Sequence, residues 1–333
     1  INIDMAHFMA TLNDTYSTTA EMAEILSDGR LLRHMATFEG ALAQAQADAG
    51  LIDRKVADVI AGVAAKLSFD EPELFAEALK GGTLAIPFVK QLTAEVRIQD
   101  AAAATSVHFG ATSQDVIDSA LVLQLGEALT LIDQDLTRLA EAAAKLARRH
   151  AKSAMLGRTL MQPATPITFG LKAAQWLLAA SEARKRLRAR ASEALIAQFG
   201  GAAGTLGSLG TYGAATARHL FMRLAALNAY APARNATYEG TPLPWHSRRG
   251  ALLALASELA IATGIAGKIA RDVALMMQFE IGETFEPAEA GRGGSSAMPH
   301  KRNPVRCMLT VSASLRTPGL MATLLSGLSL IHI

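Results

Sequence analysis

The chain has 333 residues, 50% of them apolar and 5% aromatic, with 32 Lys plus Arg against 30 Asp plus Glu for a net charge of +2. So balanced a charge excludes the strongly basic face of a nucleic-acid binder and leaves a small anionic ligand compatible. The single cysteine, Cys307, excludes an internal disulfide, and the length predicts more than one core or a long bundle.

Residues 1–16 carry Asp4 and Asp14 and lack the basic and apolar regions of a signal peptide. From Ser17 to Gly50, Met22, Ile25, Leu26, Leu32, Met35, Phe38 and Leu42 recur at helical spacing, with Gly50 as a stop. The stretch to Ala104 contains Pro72 and Pro87, which predicts short helices. Between Ile117 and Ala151 there is no proline, and Leu121, Leu125, Leu129, Ile132, Leu136, Leu139 and Leu146 form one apolar stripe on a very long helix. Residues 166–199 and 245–285 predict two more long helices, and Arg306 opens a fourth. This reads as an all-α chain with an N-terminal helical domain over 1–104 and a central long-helix bundle over 105–333.

Helices of about 35 residues reach about 50 Å, too long for one globular core to cover, so they need similar partners within and across subunits. The seams are rich in Ala and Gly and lack regular charged flanks, which favours a tight bundle over an extended coiled coil. Ala251–Ala266 is interrupted by Glu258, and Gly319–Ile333 is shorter than the roughly 20 residues a bilayer span needs. Both predict buried helices in a soluble, cytoplasmic protein without a membrane partner. The basic run from Arg184 to Arg190 predicts a solvated helix face.

Three segments interrupt the helical background, 108–119, 156–170 and 291–304, and each concentrates Gly, Ser, Thr and basic residues. Loops on a rigid scaffold are where chemistry is usually carried. The third reads Gly291-Arg292-Gly293-Gly294-Ser295-Ser296-Ala297-Met298-Pro299-His300-Lys301-Arg302-Asn303-Pro304. Its glycines permit close approach to a ligand, and Lys301 and Asn303 follow at a distance that lets the loop curl back over an anion. Three glycines in six residues also make ordering costly, so Gly291–Ser296 is expected to move without ligand. There is no cluster with metal-ligand spacing and no nucleotide-binding glycine fingerprint, so no metal or cofactor is expected.

This third segment resembles the signature of the fumarase/aspartase superfamily, Gly-Ser-Ser followed by Met-Pro, Lys and Asn-Pro. His108-Phe109-Gly110-Ala111-Thr112-Ser113-Gln114-Asp115-Val116-Ile117-Asp118-Ser119 resembles the first signature region, and Gly157-Arg158-Thr159-Leu160-Met161-Gln162-Pro163-Ala164 resembles the second. The three occur in family order across essentially the whole chain. The resemblance implies a helical fold whose long-helix bundle assembles into a homotetramer, with composite active sites built by the three regions from different subunits. It also implies a further helical domain beyond the third loop, into which these 333 residues do not extend.

By the same resemblance Ser295 transfers a proton at the carbon next to a carboxylate, with His108 as a second catalytic candidate. Lys301 and Asn303 hold that carboxylate, and Thr112, Ser113, Arg158, Thr159 and Gln162 complete the substrate-binding set. Proton transfer at such a carbon accumulates charge on the carboxylate, which preorganised donors must meet. Serine is a poor base, so Ser295 requires amide donors and a nearby cation such as Lys301.

The sequence departs from the family pattern at Leu160, where most members have histidine. Lyases that expel water, ammonia or an amine benefit from proton management at the leaving group. A carboxylate ordinarily titrates at about pH 4, so it is already ionised at neutral pH and needs no such help. Leu160 therefore favours the members that close a lactone, as do Pro244-Trp245-His246 and the run Gly200-Gly201-Ala202-Ala203-Gly204-Thr205, which resemble the muconate-lactonizing subgroup. The expected substrate is a small tricarboxylate, 3-carboxy-cis,cis-muconate, which one of its own carboxylates attacks. An adenylosuccinate lyase-like activity releasing fumarate is the first alternative, and a non-catalytic structural role the second. Trp245 and His246 read better as packing for the third long helix than as catalytic groups, and whether Arg248 or Arg249 reaches a third carboxylate is left open by residue order.

Overall fold

The computed structural model describes residues 16–230, 243–287, 293–298 and 300–329. Its helices are α1 (Ala20–Ile25), α2 (Asp28–Asp48), α3 (Arg54–Lys66), α4 (Glu71–Gly81), α5 (Ala85–Gln99), α6 (Ser113–Arg149), α7 (Phe169–Ala194), α8 (Gly213–Ala225), α9 (Gly250–Met276) and α10 (Val305–Ser326). A two-stranded antiparallel hairpin, β1 (Ala154–Thr159) and β2 (Gln162–Thr168), lies between α6 and α7. The all-α reading holds for the rest of the described chain. The hairpin stands where a loop was expected, because pairing with β1 satisfies the backbone of a segment whose two prolines forbid a helix.

The helical stretch from Ser17 breaks before α2, where the Ser27 side chain accepts the Arg30 N–H at 3.1 Å and caps a new helix start. Helix α6 runs 37 residues, as long as its apolar stripe implied, but the other two long helices are shorter than their patterns. α7 begins at Phe169 because β2 claims the residues before it, and α9 covers 27 residues rather than the whole of 245–285.

Two compact units make up the chain, and their boundaries fall inside the long helices: residues 20–131 and 189–252 form the larger, residues 132–188 and 253–327 the other. In the larger unit α2 packs against α3 and α8. Its core includes Leu32, Met35, Phe38, Leu42, Ile60, Phe88, Leu92, Leu209 and Leu220, all at most 2% exposed.

In the other unit, Trp176 packs with Ala143, Ala173 and Met276, and its indole N–H donates to Asp272 at 2.9 Å. The basic run lies on a solvent-accessible helix face, as expected, and its arginines also make ion pairs there. Arg184 and Arg188 both meet Asp133, at 2.8 and 3.0 Å, and Arg186 meets Glu258 at 3.0 Å. Helix α9 is long and apolar enough to cross a membrane by length and composition. Its Glu258 and Asp272 nevertheless bind Arg186 and Trp176 on α7, as expected of a bundle helix.

Helices α9 and α10 approach closely at Gly267, where an added Cβ would lie 2.3 Å from Ser314 Oγ and 2.4 Å from Ser314 Cβ. The Ser314 Cβ is fixed to its backbone, so one of the helices must move. Gly267→Ala is expected to cost about 1–3 kcal/mol, measured by urea denaturation; an unchanged midpoint would contradict this packing.

Candidate active site

In the larger unit, Thr112 and Asp115 start α6 as a reciprocal cap. Asp115 Oδ2 accepts the Thr112 N–H at 3.0 Å, and Thr112 O accepts the Asp115 N–H at 3.0 Å. The same carboxylate reaches the glycine run. Oδ1 accepts the Gly200 N–H at 2.9 Å and Gln198 Nε2 at 3.3 Å, and Oδ2 accepts the Gly201 N–H at 2.9 Å. Asp115 is fully buried, and burial pushes its carboxyl above the ordinary range while these donors pull it back.

The close approach explains two glycines. Gly201 has φ +68°, and a Cβ there would sit 2.8 Å from Gly110 O. Gly110 has φ +78°, and its Cβ would meet Leu209 Cδ2 at 2.3 Å. His108, in the same loop, has φ +57° and places Nδ1 2.6 Å from Glu39 Oε1.

Trp245 and His246 bracket this network as packing groups. Gln198 Oε1 accepts the Trp245 N–H at 2.7 Å, Gln198 Nε2 lies 3.1 Å from His246 Nδ1, and the indole N–H donates to Ile196 O at 2.9 Å. Arg249 is held by buried Asp118 at 2.8 Å, and Arg248 donates to Leu243 O at 2.7 Å. A third carboxylate would compete with these partners for either arginine.

In the other unit, β1 and β2 carry the second signature. Gly157 is required by close strand contact, since a Cβ would lie 2.5 Å from Thr165 O. Thr159 pairs with Gln162 across the turn, and the intervening Leu160 and Met161 both have positive φ, +46° and +61°. Positive φ at both central residues is the backbone of a type I′ hairpin turn, which usually selects Asn and Gly. Two apolar residues holding it is a strained choice of the kind that clusters at functional positions. Leu160 is 95% exposed within the chain. Arg158 makes a two-pronged ion pair with Glu283, at 2.9 and 3.2 Å.

The third loop closes on itself. Asn303 donates its N–H to Gly293 O at 2.9 Å and its Nδ2 to Gly294 O at 3.2 Å. Gly293 has φ +71°, and a Cβ there would approach Asn303 O to 2.8 Å. Inside the closed loop, Ser295 Oγ accepts N–H donors from Ala297 at 3.3 Å and Met298 at 3.2 Å. Main-chain donors of this kind stabilise negative charge on an oxygen. Lys301 joins the loop through its N–H to Met298 O at 3.1 Å, and among the described residues no hydrogen bond brings its ammonium to Ser295. Glu286 caps α10 by accepting the N–H groups of Arg306 and Cys307 at 3.3 and 2.8 Å. Gly291, Arg292 and Pro299 lie outside the described residues, and with the first two lies part of the segment expected to move.

His108 and Thr112 thus share one loop with Ser113 opening α6 beside them, Thr159 and Gln162 flank one turn with Arg158 beside it, and Ser295 and Asn303 share one closed loop. Among the described residues no hydrogen bond or ion pair joins Ser295, Lys301 or Asn303 to the hairpin's Arg158, Thr159 or Gln162. Sequence reasoning missed Glu39, Gln198 and Glu283. The Glu39 signal was available, since a carboxylate in an apolar helical stripe needs a reason.

A family model described as Lyase matches residues 7–319. The chain belongs to that lyase family. Within it, the 3-carboxy-cis,cis-muconate cycloisomerase of Pseudomonas aeruginosa is 45% identical over 326 residues, covering 96% of this chain and 67% of that protein. The nitrosuccinate lyase of Streptomyces davaonensis is 42% identical over 293 residues, 88% of this chain and 61% of that protein. The crystal structure of the 3-carboxy-cis,cis-muconate lactonizing enzyme from Pseudomonas putida superposes with a TM-score of 0.87 at 39% identity, covering 96% of this chain and 68% of that one. The chain spans about two thirds of the length of the lyase relatives it matches.

Proposed function

We propose that this lyase-family chain is a 3-carboxy-cis,cis-muconate cycloisomerase. One carboxylate oxygen of the substrate forms a C–O bond across the conjugated diene, and Ser295 delivers a proton to the carbon alpha to another carboxylate, giving 4-carboxymuconolactone. The observation that carries this reading is the pair of main-chain N–H groups on Ser295 Oγ, at 3.2 and 3.3 Å, inside a loop closed by Asn303. Having given up its proton, the serine oxygen is an anion, and two preorganised amide donors lower its energy where water would have to reorganise. The identities of 40–45% to proteins named 3-carboxy-cis,cis-muconate cycloisomerase support the choice of substrate. Loss of diene absorbance on adding 3-carboxymuconate tests it. Fumarate release from adenylosuccinate without diene loss would sink it in favour of an amine lyase.

The reading includes a homotetramer with sites shared between subunits, in a soluble, cytoplasmic protein. It is supported by the apolar side chains that α9 and α10 leave exposed, among them Ile261, Leu275, Leu315, Leu320 and Leu324. Sedimentation showing a stable, active monomer would remove this part.

The turn residue Leu160 offers a separate test. A carboxylate nucleophile is already ionised near pH 7, so Leu160→His is expected to bring no gain in lactonization rate. A large increase would show that proton management at that position limits the reaction.

A further inference from the structure

Helix α2 places Met35, Glu39, Leu42 and Gln46 on one face by steps of four, three and four. All four are buried in the core of the larger unit, Glu39 at 1% exposure and Gln46 at 0%. Two of the four are polar, and both end on the first signature loop. Gln46 Nε2 donates to Phe109 O at 2.6 Å, and Glu39 Oε1 lies 2.6 Å from His108 Nδ1. The backbone they hold is unfavourable, since His108 has φ +57°. Glu39 Oε2 is buried without a hydrogen-bond partner among the described residues. A half-satisfied buried carboxyl and a left-handed histidine are both costly. The hydrophobic core would be better served by leucine at position 39, so the feature calls for a role beyond packing.

We propose that Glu39 is a positioning residue for the lactonization, fixing the His108 ring through Nδ1 so that its Nε2–H is offered to a carboxylate of the substrate. This rests on the cycloisomerase reading. The ring is 18% exposed, and with Nδ1 held against Glu39 the other nitrogen is the one that remains for a ligand. For Nε2 to donate, the imidazole must be charged. Burial alone pulls its pKa down, but the hydrogen bond and charge of Glu39, with the charge of Asp115, push it above the ordinary histidine value of 6.5. Glu39 on α2 and Asp115 at the start of α6 are the charged groups that face the ring. His34, on the same helix, shows the contrast: Glu127 Oε2 is 3.6 Å from its Nε2, and burial lowers its pKa. The sign for His108 follows from its raised value. The pair stabilises the fold fully below the unfolded pKa of 6.5, and the contribution fades as pH rises through the folded-state value.

The test joins a titration without substrate to a kinetic profile with it. In the intact protein, His108 is followed by the NMR shift of its ring carbon, identified by its absence in His108→Gln. It is expected to titrate above 6.5 in the wild type and lower in Glu39→Gln. With 3-carboxymuconate, Glu39→Gln is expected to raise KM on the order of tenfold at pH 8, with less change at pH 6 and in kcat. Placed in the His108→Gln background it should add nothing to KM. A wild-type His108 that titrates below 6.5 overturns the proposal even if Glu39→Gln does not fold. So does a Glu39→Gln effect on KM that is undiminished when His108 is absent, the behaviour of a merely structural residue. A wild-type protein that fails to lactonize the tricarboxylate refutes the substrate reading and, with it, the ligand named here. The titration then still decides whether Glu39 sets the state of His108.

Discussion

Replacing Ser295 by alanine is expected to lower turnover by about 10²–10⁴-fold, the usual contribution of a general acid–base group, with little change in KM. In the proposed mechanism the hydroxyl gives up a proton, so its removal deletes an interaction made in the transition state and scarcely felt in the ground state. The amides of Ala297 and Met298 remain in the variant, but the oxygen they serve is gone. Measured kcat and KM from diene absorbance decide the matter. Near-native turnover would remove Ser295 from the mechanism, and a large rise in KM with kcat unchanged would recast it as a substrate-binding group.

The second large effect concerns Asp115, which touches no proposed substrate atom. Asp115→Ala leaves the Thr112, Gly200 and Gly201 N–H groups and Gln198 Nε2 without their common acceptor. Unsatisfied buried donors cost about 1–3 kcal/mol each before relaxation, and four of them relaxing together put the total at roughly 3–5 kcal/mol. A loss in that last range is expected by urea denaturation. Asp115→Asn should lose less, because one oxygen still accepts while its amide faces a donor. If Asp115→Ala unfolds at the wild-type denaturant concentration, the carboxylate does not bind the first signature loop to the glycine run.

The all-α class, the long helices and the three signature segments were legible in residue order. Helices advertise themselves through local periodicity, and the signature residues are contiguous in the chain. Ser295 with its amide donors could be anticipated because Ala297 and Met298 are its near neighbours, and Asp115 could be placed as a cap from its spacing to Thr112. The helix ends were less legible. The apolar pattern of 166–199 begins inside the end of β2, and pairing with β1 assigns Pro166 and Ile167 to a strand.

What the tertiary structure decided is which distant side chains meet. His108 is 69 residues from Glu39, Gln198 is 83 from Asp115, and Glu283 is 125 from Arg158. No local pattern encodes such a pairing, because it depends on which helix faces lie against each other once the core is packed. The sequence by itself determined the family, the helical architecture and the residues available for chemistry. The fold decided which of them are held, by what, and in which state of charge, since burial and the nearest partner set an ionisable group's behaviour and both are properties of the packed chain.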